Sequence, residues 1–285
     1  EYIHASIRDG IRLSNAKAFS FKHNDIEKLE SKILSVRAQS RTLNAEIYIA
    51  TESVFSMDGD SPDLISLSKL CKKHKAHLIV DEAHAVGVLG ENGCGLVKEL
   101  GLGKAVFATI VTFGKAMGCH GAAILGSEKL REYLINFARS FIYTTALPPH
   151  ALATIKIVFE ELMCTNTVTS SAPDSYRDEK SYPAIQNLKN NIHYFNQLVA
   201  TNNYNLIFFP LEEMPKGSAI HCCLIPNNER VKSIAKKLQE KGFDVKPILS
   251  PTVPIGQERL RICLHAYNSH EEIDEVLKLL TTFVN

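Results

Sequence analysis

Apolar positions along this chain fall into two rhythms. Short, nearly unbroken apolar runs recur at Glu46–Ala50, His77–Val80, Val106–Val111 and Ala122–Leu125, as expected of strands buried on both faces. Between them the spacing turns helical: Leu64, Ile65, Leu67, Leu70 and Cys71 mark one face of a helix over Asp63–His74. Ser61-Pro62 stands just ahead, with proline at an early position where its missing N–H costs little. Further helices are expected from about Ser127 and from Pro148 to Met163. Apolar strands separated by helices predict an α/β fold whose mostly parallel sheet is flanked by helices.

The pattern changes near residue 165. Thr165–Tyr182 is rich in Ser, Thr, Asp and Pro and reads as a connection between domains. Beyond it the spacing predicts a helix over Ala184–Thr201, a strand over Ser218–Leu224 and a helix over Asn228–Lys241. A strand over Arg259–Leu264 and a last helix from Glu271 complete a smaller C-terminal α+β domain. The expected domains are therefore 1–165, the larger, and 166–285, the smaller.

Composition narrows the partners. With 45% apolar and 22% charged residues, the 285-residue chain has the ordinary balance of a soluble globular protein. A net charge of +1 offers no electrostatic reason to expect nucleic acid or an anionic membrane. No apolar run approaches the ~20 residues that span a bilayer. Glu1-Tyr2-Ile3-His4 does not resemble a secretory signal. The seven cysteines are odd in number, scattered and free of any C-x-x-C pair. Reduced thiols and a cytoplasmic location are expected, with neither a disulfide framework nor a metal site.

The candidate chemistry sits where two of the expected strands end. Asp81-Glu82-Ala83-His84 follows the run His77–Val80, and Thr112-Phe113-Gly114-Lys115 follows Val106–Val111. Open α/β sheets place their ligand crevice at the C-terminal ends of strands. One pocket there could combine a carboxylate, an imidazole, a hydroxyl and a lysine. Pyridoxal phosphate needs that set: a lysine to trap its aldehyde and an anion for its pyridine nitrogen. Asp81 could instead cap a turn, His84 could be structural, and Lys115 could be a solvated surface charge. The letters Asp-Glu-Ala-His also occur as a magnesium-binding motif in helicases. That reading requires the phosphate loop G-x-x-x-x-G-K-[ST], and here Gly114-Lys115 is followed by Ala116.

These residues and others along the chain resemble the α-oxoamine synthases, a family of fold-type-I pyridoxal-phosphate enzymes. The resemblance runs through His4-Ala5-Ser6 with Asp9-Gly10, then His23-Asn24-Asp25, then Glu52 to Asp60. It continues through the Asp81 and Lys115 segments, Tyr143 to Pro149, and Arg259-Leu260-Arg261. It implies that Lys115 binds the cofactor covalently and later moves the substrate's α-proton. Asp81 would pair with the pyridine nitrogen and His84 with the phenolic oxygen. His4 would stack on one face of the ring, near the substrate, and Ala83 would pack against the other. Ser56 would bond within the cofactor site with support from Glu52, and Thr112 would hold the phosphate. Thr144 or Thr145 would reach the phosphate of a neighbouring subunit in a homodimer with a shared active site. Arg261 would grip the amino-acid carboxylate.

The reaction so implied is a decarboxylating condensation of an amino acid with an acyl-CoA or acyl-carrier-protein thioester. Within the family, alanine and a pimeloyl thioester are the expected pair, as in biotin biosynthesis, with glycine acetyl transfer as the alternative. A relative without catalytic activity is the remaining class. The resemblance also places Glu1 well inside the family's large domain, so that an N-terminal part and its phosphate-contacting loop are expected to be missing. At Leu249-Ser250-Pro251-Thr252 the chain lacks an arginine that some family members carry before Pro-Pro-Thr.

Overall fold

The computed structural model describes residues 1–39, 45–164, 184–201, 204, 206–209 and 217–285. Two units divide the chain: Glu1–Phe55 with Ser61–Cys164, and Ser56–Asp60 with Thr165–Asn285. The short piece between Phe55 and Ser61 thus goes with the C-terminal unit. The expected connection Thr165–Tyr182 lies outside the described residues.

In the first unit the order is α1 (Ala5–Leu13), α2 (Ile26–Gln39), β1 (Tyr48–Glu52), α3 (Leu64–Lys73) and β2 (His77–Asp81). After these come α4 (Leu96–Glu99), β3 (Ala108–Thr112), β4 (Ala122–Gly126), α5 (Glu128–Phe137), α6 (Arg139–Ile142) and α7 (Pro149–Cys164). The sheet runs β1-β2-β3-β4, with the first three strands parallel and β4 antiparallel. Leu29 and Ile33 of α2 and Leu64, Leu67 and Leu70 of α3 close over Ile49, Leu78 and Val80. Burying each such side chain contributes about 1.5–3 kcal/mol, which is what holds both helices to the sheet.

Three differences from the sequence pattern have physical causes. β1 and β3 extend beyond their apolar runs, to Glu52 and Thr112, because those polar residues pair in register with Asp81 and Ala122. An apolar-run criterion cannot see a strand end that is polar. The α3 cap is Asp63, one residue past Pro62, because its carboxylate accepts from the Ser66 amide at 2.9 Å and the Ser66 hydroxyl at 2.6 Å. Those bonds hold the Asp63 carboxyl below its ordinary pKa. Finally, β4, expected as a short strand beside buried ones, stands at the antiparallel edge of the sheet, which leaves Ile124 and Leu125 53% and 54% exposed.

Among the described residues, the second unit is a four-stranded antiparallel sheet with three helices. Its elements are α8 (Ala184–Thr201), β5 (Phe208–Phe209), β6 (Ile220–Leu224), α9 (Asn228–Gln239), β7 (Lys246–Ile248), β8 (Arg259–Cys263) and α10 (His270–Val284). The strand order is β5-β6-β8-β7. Cross-strand pairing sorts the side chains into two faces. On one, His221 is opposite Ile262 and meets Phe195 of α8 at 4.2 Å between ring centroids. On the other, Cys222 and Arg261 face the Ser56–Asp60 piece: their side chains donate to the carbonyls of Met57 and Ser56, each at 3.1 Å. Arg259 pairs with Asp58 and lies 4.6 Å over the Phe209 ring. A Cβ on Gly59, whose φ is +76°, would collide with the Ile220 carbonyl.

None of the cysteines whose side chains are described forms a disulfide. No helix among the described residues is long and apolar enough to cross a membrane.

Candidate active site

Parallel pairing brings the ends of β1, β2 and β3 to one edge of the first unit's sheet. Glu52 is in register with Asp81, and Asp81 with Ile110, two residues before Thr112. Residues far apart in sequence therefore leave the sheet side by side, at the C-terminal edge where open α/β folds bind ligands.

Asp81 is 7% exposed, and its Oδ1 accepts from the Ala83 amide at 2.8 Å. The bond folds the chain into a tight turn that carries Ala83, buried, and His84, half-buried. Thr112 ends β3 with its Oγ1 buried and, among the described residues, without a hydrogen-bond partner. A buried hydroxyl in that state costs free energy unless something accepts or donates there. Lys115 stands exposed in the loop that follows. The loop is closed by Gly118 N–H to the Lys115 carbonyl at 2.9 Å, Cys119 N–H to Phe113 at 2.7 Å and Phe113 N–H to Gly121 at 3.0 Å.

The Asp81 and Lys115 segments touch. A Cβ on Gly87, where φ is +82°, would stand 2.7 Å from the Ala116 Cβ. Val86 also packs with Val111, Phe113 and Met117, and α7 adds Ile155, Val158 and Leu162 to that cluster. Two motifs about thirty residues apart thus share one packed foundation.

His4 caps α1, its Nδ1 accepting from the Ser6 amide at 3.3 Å, while its own amide donates to the Glu52 carboxylate at 2.5 Å. Glu52 is buried, so His4 is tied to the same sheet edge as Asp81. The sequence grouped Glu52 with Ser56. Ser56 belongs instead to the second unit, where its carbonyl receives Arg261. Thr144 and Thr145 are exposed beyond α6, and the Thr144 hydroxyl donates to the Ser140 carbonyl. No contact given by the described residues joins these two threonines to Asp81.

Sequence reasoning missed Glu82 and Ser53. Glu82 is 2% exposed, and its Oε1 accepts from the Val97 amide at 2.9 Å. Burial pushes its carboxyl pKa up, against the hydrogen bonds from the Val97 and Leu96 amides and the Ser53 hydroxyl. The Ser53 amide donates to the Asp81 carbonyl at 2.8 Å, and its Oγ lies 3.2 Å from the same oxygen. The available signal was positional: each residue directly follows a strand end.

The donor set suits a phosphorylated aldehyde cofactor. It offers an unpartnered buried hydroxyl, a buried carboxylate and an exposed lysine on adjoining strand ends.

Comparison with known proteins agrees. A family model described as aminotransferase class I and II matches residues 1–280. The 8-amino-7-oxononanoate synthase of Emericella nidulans is 37% identical over 292 residues, which take in 100% of this chain and 67% of that protein. A solved 8-amino-7-oxononanoate synthase from Francisella tularensis superposes with a TM-score of 0.77 at 32% identity, covering 99% of this chain and 73% of that one. A lysine-to-alanine variant of serine palmitoyltransferase from S. paucimobilis, with a PLP–myriocin aldimine bound, has a TM-score of 0.81 at 26% identity, over 99% of this chain and 64% of that one. The chain spans 62–67% of the length of the curated relatives it matches.

Proposed function

The chain belongs to the aminotransferase class I and II family, and from that premise we propose that its first unit holds pyridoxal phosphate for a decarboxylating transfer of an acyl group to an amino acid. The observation that carries this reading is the set of strand ends Asp81, Thr112 and the Lys115 loop on one sheet edge. Alanine and a pimeloyl thioester are the proposed substrates, giving 8-amino-7-oxononanoate, carbon dioxide and a free thiol. Identity supports that choice: among the solved structures it is 32% to an 8-amino-7-oxononanoate synthase against 26% to a serine palmitoyltransferase. Backbone similarity does not discriminate, since both enzymes share the fold.

When bound, the cofactor supplies an electron sink for the amino acid's α-carbon. The chain's own groups do the rest. Asp81 places a negative charge that keeps a proton on the pyridine nitrogen. His84 offers its imidazole to the phenolic oxygen. The Thr112 hydroxyl donates to a phosphate oxygen and so gains the partner it lacks. His4 and Ala83 hold the ring between them. Lys115 Nζ would hold the cofactor covalently and, once free, could take a proton from the amino acid's α-carbon and return one to the product.

The test separates binding from turnover. The purified chain titrated with pyridoxal phosphate should develop an absorbance band near ~420 nm that Lys115→Ala abolishes. A band that survives in Lys115→Ala, or no band at all, would overturn the assignment. Thiol release is then followed with alanine, glycine or serine against pimeloyl-CoA and acetyl-CoA. Release with glycine and acetyl-CoA alone would replace the proposed substrates.

A further inference from the structure

We propose that Glu82 and Ser53 form a buried brace that sets the position of the Asp81–His84 turn, and through it the charge presented to the cofactor. The inference rests on the reading of Asp81 given above. Glu82 is a positioning residue here, acting through its neighbours.

A carboxylate that is 2% exposed must find partners or neutralise. Glu82 finds them on two sides: the Val97 amide at 2.9 Å and the Leu96 amide at the start of α4, and the Ser53 hydroxyl at the end of β1. Ser53 is fully buried and has one hydroxyl proton with two acceptors near it, the Asp81 carbonyl and the Glu82 carboxylate. The hydroxyl donates to the Asp81 carbonyl at 3.2 Å and also lies against the Glu82 carboxylate, so one side chain ties the two residues together. The Ser53 amide, at 2.8 Å, also satisfies the Asp81 carbonyl. The backbone of Asp81 is thus held by β1, and the residue after it by α4. Only then does the Asp81 carboxylate turn back onto the Ala83 amide.

The loop leading to α4 is shaped around this carboxylate. Gly95 takes φ +88°, and a Cβ there would collide with Glu82 Oε2. Stability alone does not account for the arrangement, because an apolar side chain of similar size often replaces a buried charge at no loss. A brace that fixes a turn does account for it.

Glu82→Gln keeps an acceptor for the Val97 amide, Glu82→Leu keeps only the volume, and Ser53→Ala removes the hydroxyl. Two readouts apply to the full chain. In the protein without cofactor, amide exchange at Ala83 and Val97 should quicken about tenfold or more in Glu82→Leu and much less in Glu82→Gln, as loss of the buried acceptor predicts. With pyridoxal phosphate bound, the pH midpoint of the visible band should move in Glu82→Leu and Ser53→Ala and be restored in Glu82→Gln. Unchanged exchange and an unchanged midpoint in Glu82→Leu would overturn the brace. If Glu82→Leu does not fold, Ser53→Ala decides by the same two measurements. A wild-type chain that never shows a Lys115-dependent band refutes the cofactor reading instead, and the exchange experiment still decides the brace.

Discussion

Replacing His221 by Leu should remove a pH dependence from the stability of the second unit. His221 is fully buried on β6, neither ring nitrogen has a hydrogen-bond partner among the described residues, and Phe195 lies against its ring. Burial pushes the imidazole from its ordinary 6.5 down to about 3. The folded pKa is below the unfolded one, so the unfolded chain binds the extra proton between about pH 3 and pH 6.5. Stability therefore rises with pH through that window, and the penalty is gone above it. At pH 5 the gap of 1.5 units between the unfolded pKa and the solution is worth about 2 kcal/mol, from ~1.4 kcal/mol per unit. Urea unfolding followed by far-ultraviolet circular dichroism at pH 7 and pH 5 measures it. The wild type should lose about 2 kcal/mol more than His221→Leu between the two. At pH 7 the variant should be no less stable, because the lost ring contact, about 0.5–1.5 kcal/mol, is offset by removing two unsatisfied nitrogens. Equal pH slopes for both proteins, or a native imidazole titrating near its ordinary value by NMR, would refute the reasoning.

Two further outcomes follow from particular atoms. Thr112→Val removes a buried hydroxyl that has no partner, so the cofactor-free protein should be as stable or more so, by up to ~1 kcal/mol in thermal unfolding. Its affinity for pyridoxal phosphate should fall at least about tenfold in an absorbance titration, and unchanged affinity would remove Thr112 from the phosphate site. Asp58→Asn removes the carboxylate that pairs with the 3%-exposed Arg259 guanidinium, which should cost about 3 kcal/mol in urea unfolding. A cost below ~0.5 kcal/mol would show that the Gln257 carbonyl and the Phe209 ring already satisfy Arg259.

Much of this architecture was readable from periodicity because the relevant forces are local. The helix Ala184–Thr201 appears with the expected ends, and α10 begins one residue before Glu271 behind the Ser269 capping box. The short helix α4 and the strands β5 and β7 escaped because two to four residues carry no period to detect. The membership of Ser56–Asp60 in the second unit was equally invisible. It depends on Arg259, Arg261 and Cys222, more than a hundred residues away, reaching that backbone. Asp81 and Thr112 stand out in the sequence because each directly follows an apolar run, and Lys115 because it lies three residues beyond Thr112. Their adjacency came from strand register, which no single run contains.

The neighbours Asp81 and Glu82 show why a motif's letters do not settle its chemistry. Both are buried carboxylates, one residue apart. Asp81 ends its strand and turns its side chain onto the Ala83 amide at the sheet edge. Glu82 goes the other way, to the amides that open α4 and to Ser53. Burial dominates at Glu82 and raises its pKa, which suits a brace that is sealed from solvent. On the proposed reading, the charge for a cofactor comes from the residue that reaches the edge, Asp81. The same four letters in a nucleotide hydrolase would need both acids near a metal and a phosphate loop beside them. Here the second acid faces inward, to the amides that open α4, so the two carboxylates are not presented together at the sheet edge.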